Sequence, residues 1–267
     1  MGIFKPKVDC EVCALTLVKV PAETDGGMNR GIYSTASAML GAQRQLEIIA
    51  NNLANVNTAG FKRDALIFGQ TYEMALRANG GTGHELGTIA LGAANDKPYT
   101  IFEVGQIQET GNPYDFAIGS SKGLFAIRTP QGVQYTRNGS FIVTADGQLI
   151  TRDNFPVLDA NLQPIQIPQG EMEVTDTGSI SVGGNEVAKL GIFEGGFTKI
   201  GGGLFAGLNI KPLEQPELTW KSTETSNVNT VESMVDMIDI QRRFDLAQRS
   251  ILQQDELTQK LIQSLNQ

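Results

Sequence analysis

The stretch that decides the fold reads Ala50-Asn51-Asn52-Leu53-Ala54-Asn55-Val56-Asn57-Thr58-Ala59-Gly60-Phe61-Lys62 and closes a helical pattern that begins near Ser34. Upstream, apolar residues recur at every seventh position, at Ile32, Met39, Leu46 and Leu53. This spacing predicts an amphipathic helix with a narrow apolar stripe. Asparagine is a poor helix former, so Asn51, Asn52 and Asn55 indicate either bonds to other chains or a shaped helix exit. Gly60 is expected to end the helical region.

A second helical pattern begins at Ser226-Asn227-Val228-Asn229 and runs to the last residues. Asn229, with Glu232 three positions later, resembles a capping box. The apolar positions then change register, from the series Val231, Met234, Val235 and Ile238 to the series Met237, Ile240, Phe244, Ala247 and Ile251. A shifting stripe covers more than one side of a helix, so this helix can meet more than one neighbour. Extended to Leu265, it would be about 50 Å long, which favours packing between chains.

The middle of the chain has the pattern of short strands. From Tyr99 onward, strands are expected around Phe125, at 134–136, 141–143 and 149–151, and again at 155–158, 164–167, 172–175, 179–182 and 187–194. Thr129-Pro130-Gln131-Gly132 and Ala145-Asp146-Gly147 are predicted turns. The predicted fold is therefore mainly β with terminal α-helices. An antiparallel β body, a sandwich or irregular barrel, carries a helix at each end, which suggests that the helices belong to an assembly.

Five segments are expected along the chain. Residues 1–27 form a leader, and translation is expected to begin at Met28 instead of Met1. An N-terminal assembly helix occupies 28–62, a flexible connecting segment 63–98, a β-rich body 99–222 and a C-terminal assembly helix 223–267. Between Ala65 and Ala78 the pattern fits either helix or extended chain.

Composition excludes several classes of function. The 267 residues carry a net charge of −8, which argues against non-specific binding to nucleic acid or to an anionic membrane. No apolar run approaches the roughly 20 residues that span a bilayer. We therefore expect neither a nucleic-acid partner nor direct membrane insertion.

Candidate catalytic and metal-binding residues are few. Cys10 and Cys13 form a C-x-x-C pair, but His84 is the only histidine, too few ligands for a structural zinc site. Nucleophile-elbow, phosphate-loop and zinc-protease motifs are absent, and Gly201-Gly202-Gly203 reads as a loop. The aspartates at 115, 146, 153 and 159 lie at predicted turns, where aspartate is usually a turn former. The sequence predicts no enzyme activity and no cofactor.

Three motifs in order resemble the flagellar rod and hook family of axial proteins. They are residues 50–62; Thr110-Gly111-Asn112-Pro113 with Asp115–Ile118, Tyr135–Phe141 and Asp146–Leu149; and Ser226–Asn229 with Glu232, Met234, Val235, Ile238, Gln241, Arg242 and Phe244. Gly119–Phe125 departs from the family, whose members more often have a glycine-rich turn followed by two aromatics. This difference concerns the conformation of that turn and not the resemblance to the family.

The resemblance implies a subunit of the bacterial flagellar rod, which crosses the periplasm and transmits torque for motility. The N- and C-terminal helices would pair as a coiled-coil-like assembly element and line the inner tube. The chain would leave through the flagellar type III export apparatus without a cleavable signal peptide. Expected partners are copies of itself and other rod and hook-family subunits. The expected assembly residues are Ile32, Met39, Leu46, Asn51, Asn52, Leu53, Asn55, Asn57, Gly60, Phe61, Asn227, Asn229, Met234, Ile238, Gln241, Arg242, Phe244 and Ile251.

Within that family, Pro156-Val157-Leu158-Asp159 followed by Gln163-Pro164-Ile165 resembles the proximal rod type. The distal rod type is the alternative. The residues alone also allow a different class of protein. This alternative is a secreted β-rich enzyme or glycan-binding protein with docked helices.

Overall fold

The computed structural model describes residues 30–66, 68–77, 85–95, 98–213 and 215–265. The leader, Cys10, Cys13 and His84 lie outside the described residues. The helices are α1 (Arg30–Ala54) and α2 (Thr230–Leu265). The strands between them are β1 (Asp64–Ala65), β2 (Phe68–Arg77), β3 (Glu85–Asn95), β4 (Tyr99–Thr100), β5 (Ile107–Glu109), β6 (Phe116–Ile118), β7 (Leu124–Thr129), β8 (Gly132–Thr136), β9 (Phe141–Val143), β10 (Leu149–Thr151), β11 (Met172–Val174), β12 (Ser179–Val182), β13 (Asn185–Lys189), β14 (Ile192–Gly201), β15 (Leu204–Pro212), β16 (Leu218–Trp220) and β17 (Ser222–Glu224).

The two helices pack against each other, as the resemblance implies, and every strand pairing among the described residues is antiparallel. The end of α1 and the start of α2 meet at one place, where the Asn227 amide donates to the Phe61 carbonyl at 3.4 Å. The helices therefore run antiparallel. Strand β3, which pairs with β2, also contacts α1. Within the segment that fits helix or strand by pattern, Phe68–Arg77 is extended chain.

The β body is built around a small closed sheet. Its strand order is β14-β15-β8-β7, with β7 and β14 paired to close it. The predicted turn at Thr129–Gly132 is confirmed as the β7–β8 hairpin, where Thr129 pairs with Gly132. The predicted β9–β10 hairpin is also confirmed. A three-stranded sheet, β11-β12-β13, and two-stranded sheets complete the body.

Two apolar clusters fill the body. The larger one contains Phe116, Phe125 and Phe141 and extends to Ile180 and Leu218. The smaller one gathers Tyr135, Phe193 and Phe205, with Phe102 and Phe197 packed against it. The body therefore has its own hydrophobic core, which does not depend on the helices.

Two predicted strands are wrong as regular strands. Residues 155–158 and 164–167 make isolated bridges, such as Leu158 with Pro164 and Ile150 with Pro156. Proline has no amide hydrogen to donate, so Pro156 and Pro164 prevent a continuous ladder. This segment crosses the body as irregular extended chain.

A third predicted strand, at 187–194, is divided in the structure. β13 ends at Lys189 and β14 begins at Ile192. Between them the Gly191 amide donates to the Leu158 carbonyl at 3.0 Å. A β-carbon at Gly191 would collide with the carbonyl oxygens of Leu158 and Asp159, so the chain passes tightly between two sheets there.

The strands β14 and β15 form a long hairpin that the sequence analysis missed. Gly201-Gly202-Gly203, predicted to be a loop, makes its turn, and Gly201 pairs with Leu204. The side chains of Ile200 and Leu208 are exposed on this hairpin. Because apolar residues on these strands face solvent and three glycines interrupt the run, the sequence does not show the regular apolar alternation that indicates a half-buried strand.

Candidate assembly site

α2 begins with the predicted cap. The Asn229 side-chain oxygen accepts hydrogen bonds from the Val231 and Glu232 amides at 3.1 and 3.3 Å. Two of the amides that have no partner inside the helix are thereby satisfied. Glu232 adds a negative charge in the first turn, where the helix dipole favours it.

Replacing Asn229 by Ala is expected to fray the first turn of α2 and to cost about 1 kcal/mol. Hydrogen–deuterium exchange of the amides at 231–233 measures the fraying directly. Asn229→Ser keeps a side-chain acceptor and is the control, so its exchange should stay near that of the wild type. Equal exchange in both variants would show that the cap contributes nothing.

The two apolar series of α2 lie on different sides of the helix. Ile240 is only 3% exposed, and Met237, Phe244, Ala247 and Ile251 are partly buried. Among the described residues, α1 is the main element that α2 contacts, so this series faces α1. The change of register in the sequence therefore marks a change of face.

The first apolar series points to solvent. The exposed fractions are 72% for Val231, 49% for Met234, 54% for Val235 and 49% for Ile238. Their spacing of three, four and seven residues places them on one face, which we call the outward face of α2. Gln241 and Arg242, also predicted assembly residues, continue it and are exposed.

The predicted α1 residues divide between the helix seam and the exit. Met39, Leu46 and Leu53 are partly buried, as expected for a stripe that meets a neighbour. Ile32 lies in α1, but its side chain lies outside the described residues. Asn51 and Asn57 are exposed.

Two of the asparagines shape the helix exit within this chain. The amide nitrogen of Asn52 donates to the Asp64 carbonyl at 2.8 Å, and its oxygen accepts from the Asp64 amide at 3.0 Å. Asn55 donates to the Asn51 carbonyl at 2.9 Å. Asn52 is buried, and both polar atoms of its side chain bond inside the subunit.

Polar contacts join the segment that follows α1 to the segment that precedes α2 and to the body. The Asn227 oxygen accepts from the Arg63 amide at 2.7 Å, and its nitrogen donates to the Ile101 carbonyl at 2.9 Å. Phe61 is buried beneath Lys199, whose Nζ lies 4.1 Å from the ring centroid. Lys199 also pairs with Asp64 at 2.8 Å.

Gly60 sits where the exit touches the body. Its φ is +67°, its amide donates to the Glu224 carbonyl at 2.7 Å, and a β-carbon would lie 2.5 Å from the Arg137 backbone. No other residue type fits this position without moving the chain.

Gly60→Ala is therefore expected to destabilise the chain by about 2–4 kcal/mol in urea unfolding. Gly111→Ala is the matched control, because Gly111 has φ +72° but nothing within 4 Å of a β-carbon. It should cost about 1 kcal/mol, the conformational part alone. Equal losses would mean that the close approach to Arg137 does not matter.

Beside Gly60 lies a buried ionic cluster that the sequence analysis did not predict. Lys62 and Arg137 both pair with Glu224 at 2.5 Å, and the three side chains are 0%, 0% and 1% exposed. Arg137 also donates to the carbonyls of Gly123 and Ile118, and Lys62 to the Glu103 carbonyl. Burial lowers the pKa of the Lys62 ammonium, against the opposing pull of Glu224. The partners are far apart in sequence, so no local pattern indicates them.

The turn aspartates are confirmed as turn formers at two positions. Asp115 accepts from Thr110 and Asn112, and Asp159 accepts from the amides of Asn161 and Gln163. Among the described residues, no group of three or more His, Cys, Asp or Glu side chains could hold a metal ion. Neither described helix is long and apolar enough to cross a membrane.

Comparison with known proteins gives three matches in chain order. A family model described as flagella basal body rod protein matches residues 32–62, which contain all but the first two residues of α1 and the segment that follows it. The flagellar hook protein FlgE/F/G D1 domain matches 119–184 in the β body, and the flagellar basal body rod FlgEFG protein C-terminal model matches 221–264, essentially β17 and α2.

Whole-chain relatives decide the assignment. The flagellar basal-body rod protein FlgF of Rhizobium meliloti is 32% identical over 82% of this chain and 90% of its own length. This chain belongs to the flagellar basal-body rod family. FlgF of Mesorhizobium japonicum is 34% identical over 82% of this chain and 90% of its own length. FlgG of Bacillus subtilis is 31% identical over 88% of this chain and 98% of its own length. Two relatives of different name within the family thus match about equally well.

Proposed function

We propose that this rod-family chain is a structural subunit of the flagellar basal-body rod and that it polymerises through its α1–α2 pair. The observation that carries the proposal is the outward face of α2. One face of that helix packs against α1, while a second apolar face of four residues is left in solvent. Such a face on a helix is typical of a contact with another chain.

The length of α2 supports the same conclusion. Its 36 residues extend about 54 Å, against about 37 Å for the 25 residues of α1. Further exposed apolar residues follow along it: Leu246, Leu252, Leu257, Leu261 and Ile262. Burying such side chains between subunits would contribute about 25 cal/mol for each Å² of apolar surface removed from water.

The partners follow from family membership and from this face. We expect copies of the chain and other rod and hook-family subunits to dock on α2, and the type III export apparatus to deliver the chain to the basal body. The subunit transmits torque mechanically and performs no reaction. We propose the proximal part of the rod as its place, with the distal part as the alternative.

Purified hook–basal bodies test the proposal. A photo-crosslinking amino acid at Ile238 should join this chain to itself or to another rod subunit, and mass spectrometry of the product identifies the partner. The control position is Gln169, which is exposed on the β body. Basal bodies that lack the chain, in a strain that expresses it, would overturn the proposal.

The same strain distinguishes the two placements. Deleting the gene should leave a short basal-body stub if the chain is proximal. A longer rod that lacks only its outer part would mean that the chain is distal. Electron cryotomography of the deletion strain measures the remaining length.

A further inference from the structure

The two segments that join the helices to the β body cross at one carboxylate. Residues 60–64 lead from α1 into the body, and residues 224–229 lead from β17 into α2. Glu224 Oε1 accepts from Lys62 Nζ at 2.5 Å and from the Gly105 amide at 2.7 Å. Its Oε2 accepts from Arg137 Nε at 2.5 Å.

Each partner belongs to a different part of the molecule. Lys62 lies on the exit of α1, Arg137 follows β8 in the body, and Glu224 ends β17 just before α2. Arg137 is held in turn by the carbonyls of Ile118 and Gly123, which flank the loop between β6 and β7. One buried carboxylate therefore connects the segment after α1 and the segment before α2 to the β body.

A charge contact of this kind tolerates little movement. All three side chains are excluded from water, so separating the ions would leave uncompensated charge in a low-dielectric interior. Moving the segment that leaves α1 away from the body would require Lys62 to separate from Glu224. Arg63 and Glu103, by contrast, lie 3.7 Å apart with side chains 38% and 69% exposed, a contact that water can replace.

We propose that Glu224 is a latch that fixes the angle between the α1–α2 pair and the β body. The latch is a property of the isolated chain and goes beyond the rod function proposed above. In a polymer assembled through these helices, the latch would restrict movement between the helix pair and the β body of each subunit.

The orientation of the helix pair relative to the β body can be followed by double electron–electron resonance on the full-length chain, which measures the distance between two spin labels. Cys10 and Cys13 are replaced by serine, and spin labels are attached at Gln169→Cys on the body and Gln253→Cys on α2, both exposed positions. Dilution with unlabelled chain removes signals between molecules. The wild-type background should give one narrow distance distribution.

Glu224→Gln keeps the shape of the side chain but leaves the Lys62 and Arg137 cations without a counter-charge. Its distance distribution should be about two-fold broader than that of the wild type. Glu103→Gln is the matched control, the same substitution at an exposed side chain of the same junction, and should leave the distribution narrow. A narrow distribution in Glu224→Gln would overturn the latch.

A second variant covers the case in which Glu224→Gln fails to fold, as judged by circular dichroism. Lys62→Met removes the contact from the α1 exit and leaves the Arg137–Glu224 pair intact. It should still broaden the distribution, to a smaller extent, and a wild-type width would overturn the proposal. A chain that never enters a rod would refute the proposed function but would not change these distances.

Discussion

Ile238→Asp is expected to abolish swimming while the isolated chain stays folded. Ile238 lies on the outward face of α2 and is 49% exposed. A carboxylate there is solvated in the monomer, so the free energy of unfolding should change by no more than about 0.5 kcal/mol. In an assembled rod the same carboxylate would be buried against a neighbour at a cost of several kcal/mol. Swimming in soft agar and counts of hooks per cell measure the effect.

Ile238→Leu is the control, because it keeps apolar surface at the same position and should preserve swimming. Ile240→Asp, two residues away, tests the opposite face. Ile240 is 3% exposed and faces α1, so its replacement should loosen the helix pair in the monomer. A motile Ile238→Asp strain would remove the outward face from the assembly contacts.

The helices and their cap could be predicted because their signals are local. A seven-residue repeat before residue 54 and an asparagine followed by a glutamate at 229 and 232 are enough to locate α1 and the start of α2. The two apolar series of α2 could likewise be identified as two faces. Which of them meets α1 could not be predicted, because that depends on how the chain returns across the body.

The errors in the body have two causes. Apolar residues around Pro156 and Pro164 have the composition of strands, yet the prolines cannot donate to a ladder. The β14–β15 hairpin was missed because Gly201-Gly202-Gly203 reads as a loop and the strands beside it are half exposed. Glycines between two runs of alternating residues were the available signal for a hairpin.

The buried cluster could not be predicted at all. Lys62 and Glu224 are separated by 162 positions, and Arg137 and Glu224 by 87. Each residue alone looks like a solvated surface charge. Only the folded chain places two cations around one carboxylate, next to Gly60, where the segment from α1 enters the body.

Arg137→Met is expected to cost about 3–5 kcal/mol of unfolding free energy. The substitution keeps much of the apolar stem but removes the guanidinium that satisfies the Ile118 and Gly123 carbonyls and one oxygen of Glu224. Unpaired groups in a dry interior keep their full desolvation penalty. Urea unfolding followed by Trp220, the sole tryptophan, reports on the body, because Trp220 pairs with Phe116 across β16 and β6.

Arg128→Met is the matched control for this prediction. Arg128 is exposed and donates to the Leu162 carbonyl at 2.9 Å, so its loss should cost no more than about 0.5 kcal/mol. If Arg137→Met costs as little as the control, water must reach the cluster and Glu224 could not act as a rigid latch. A large loss at Arg137 alone would instead mean that the body's stability and the position of the helices depend on the same buried carboxylate.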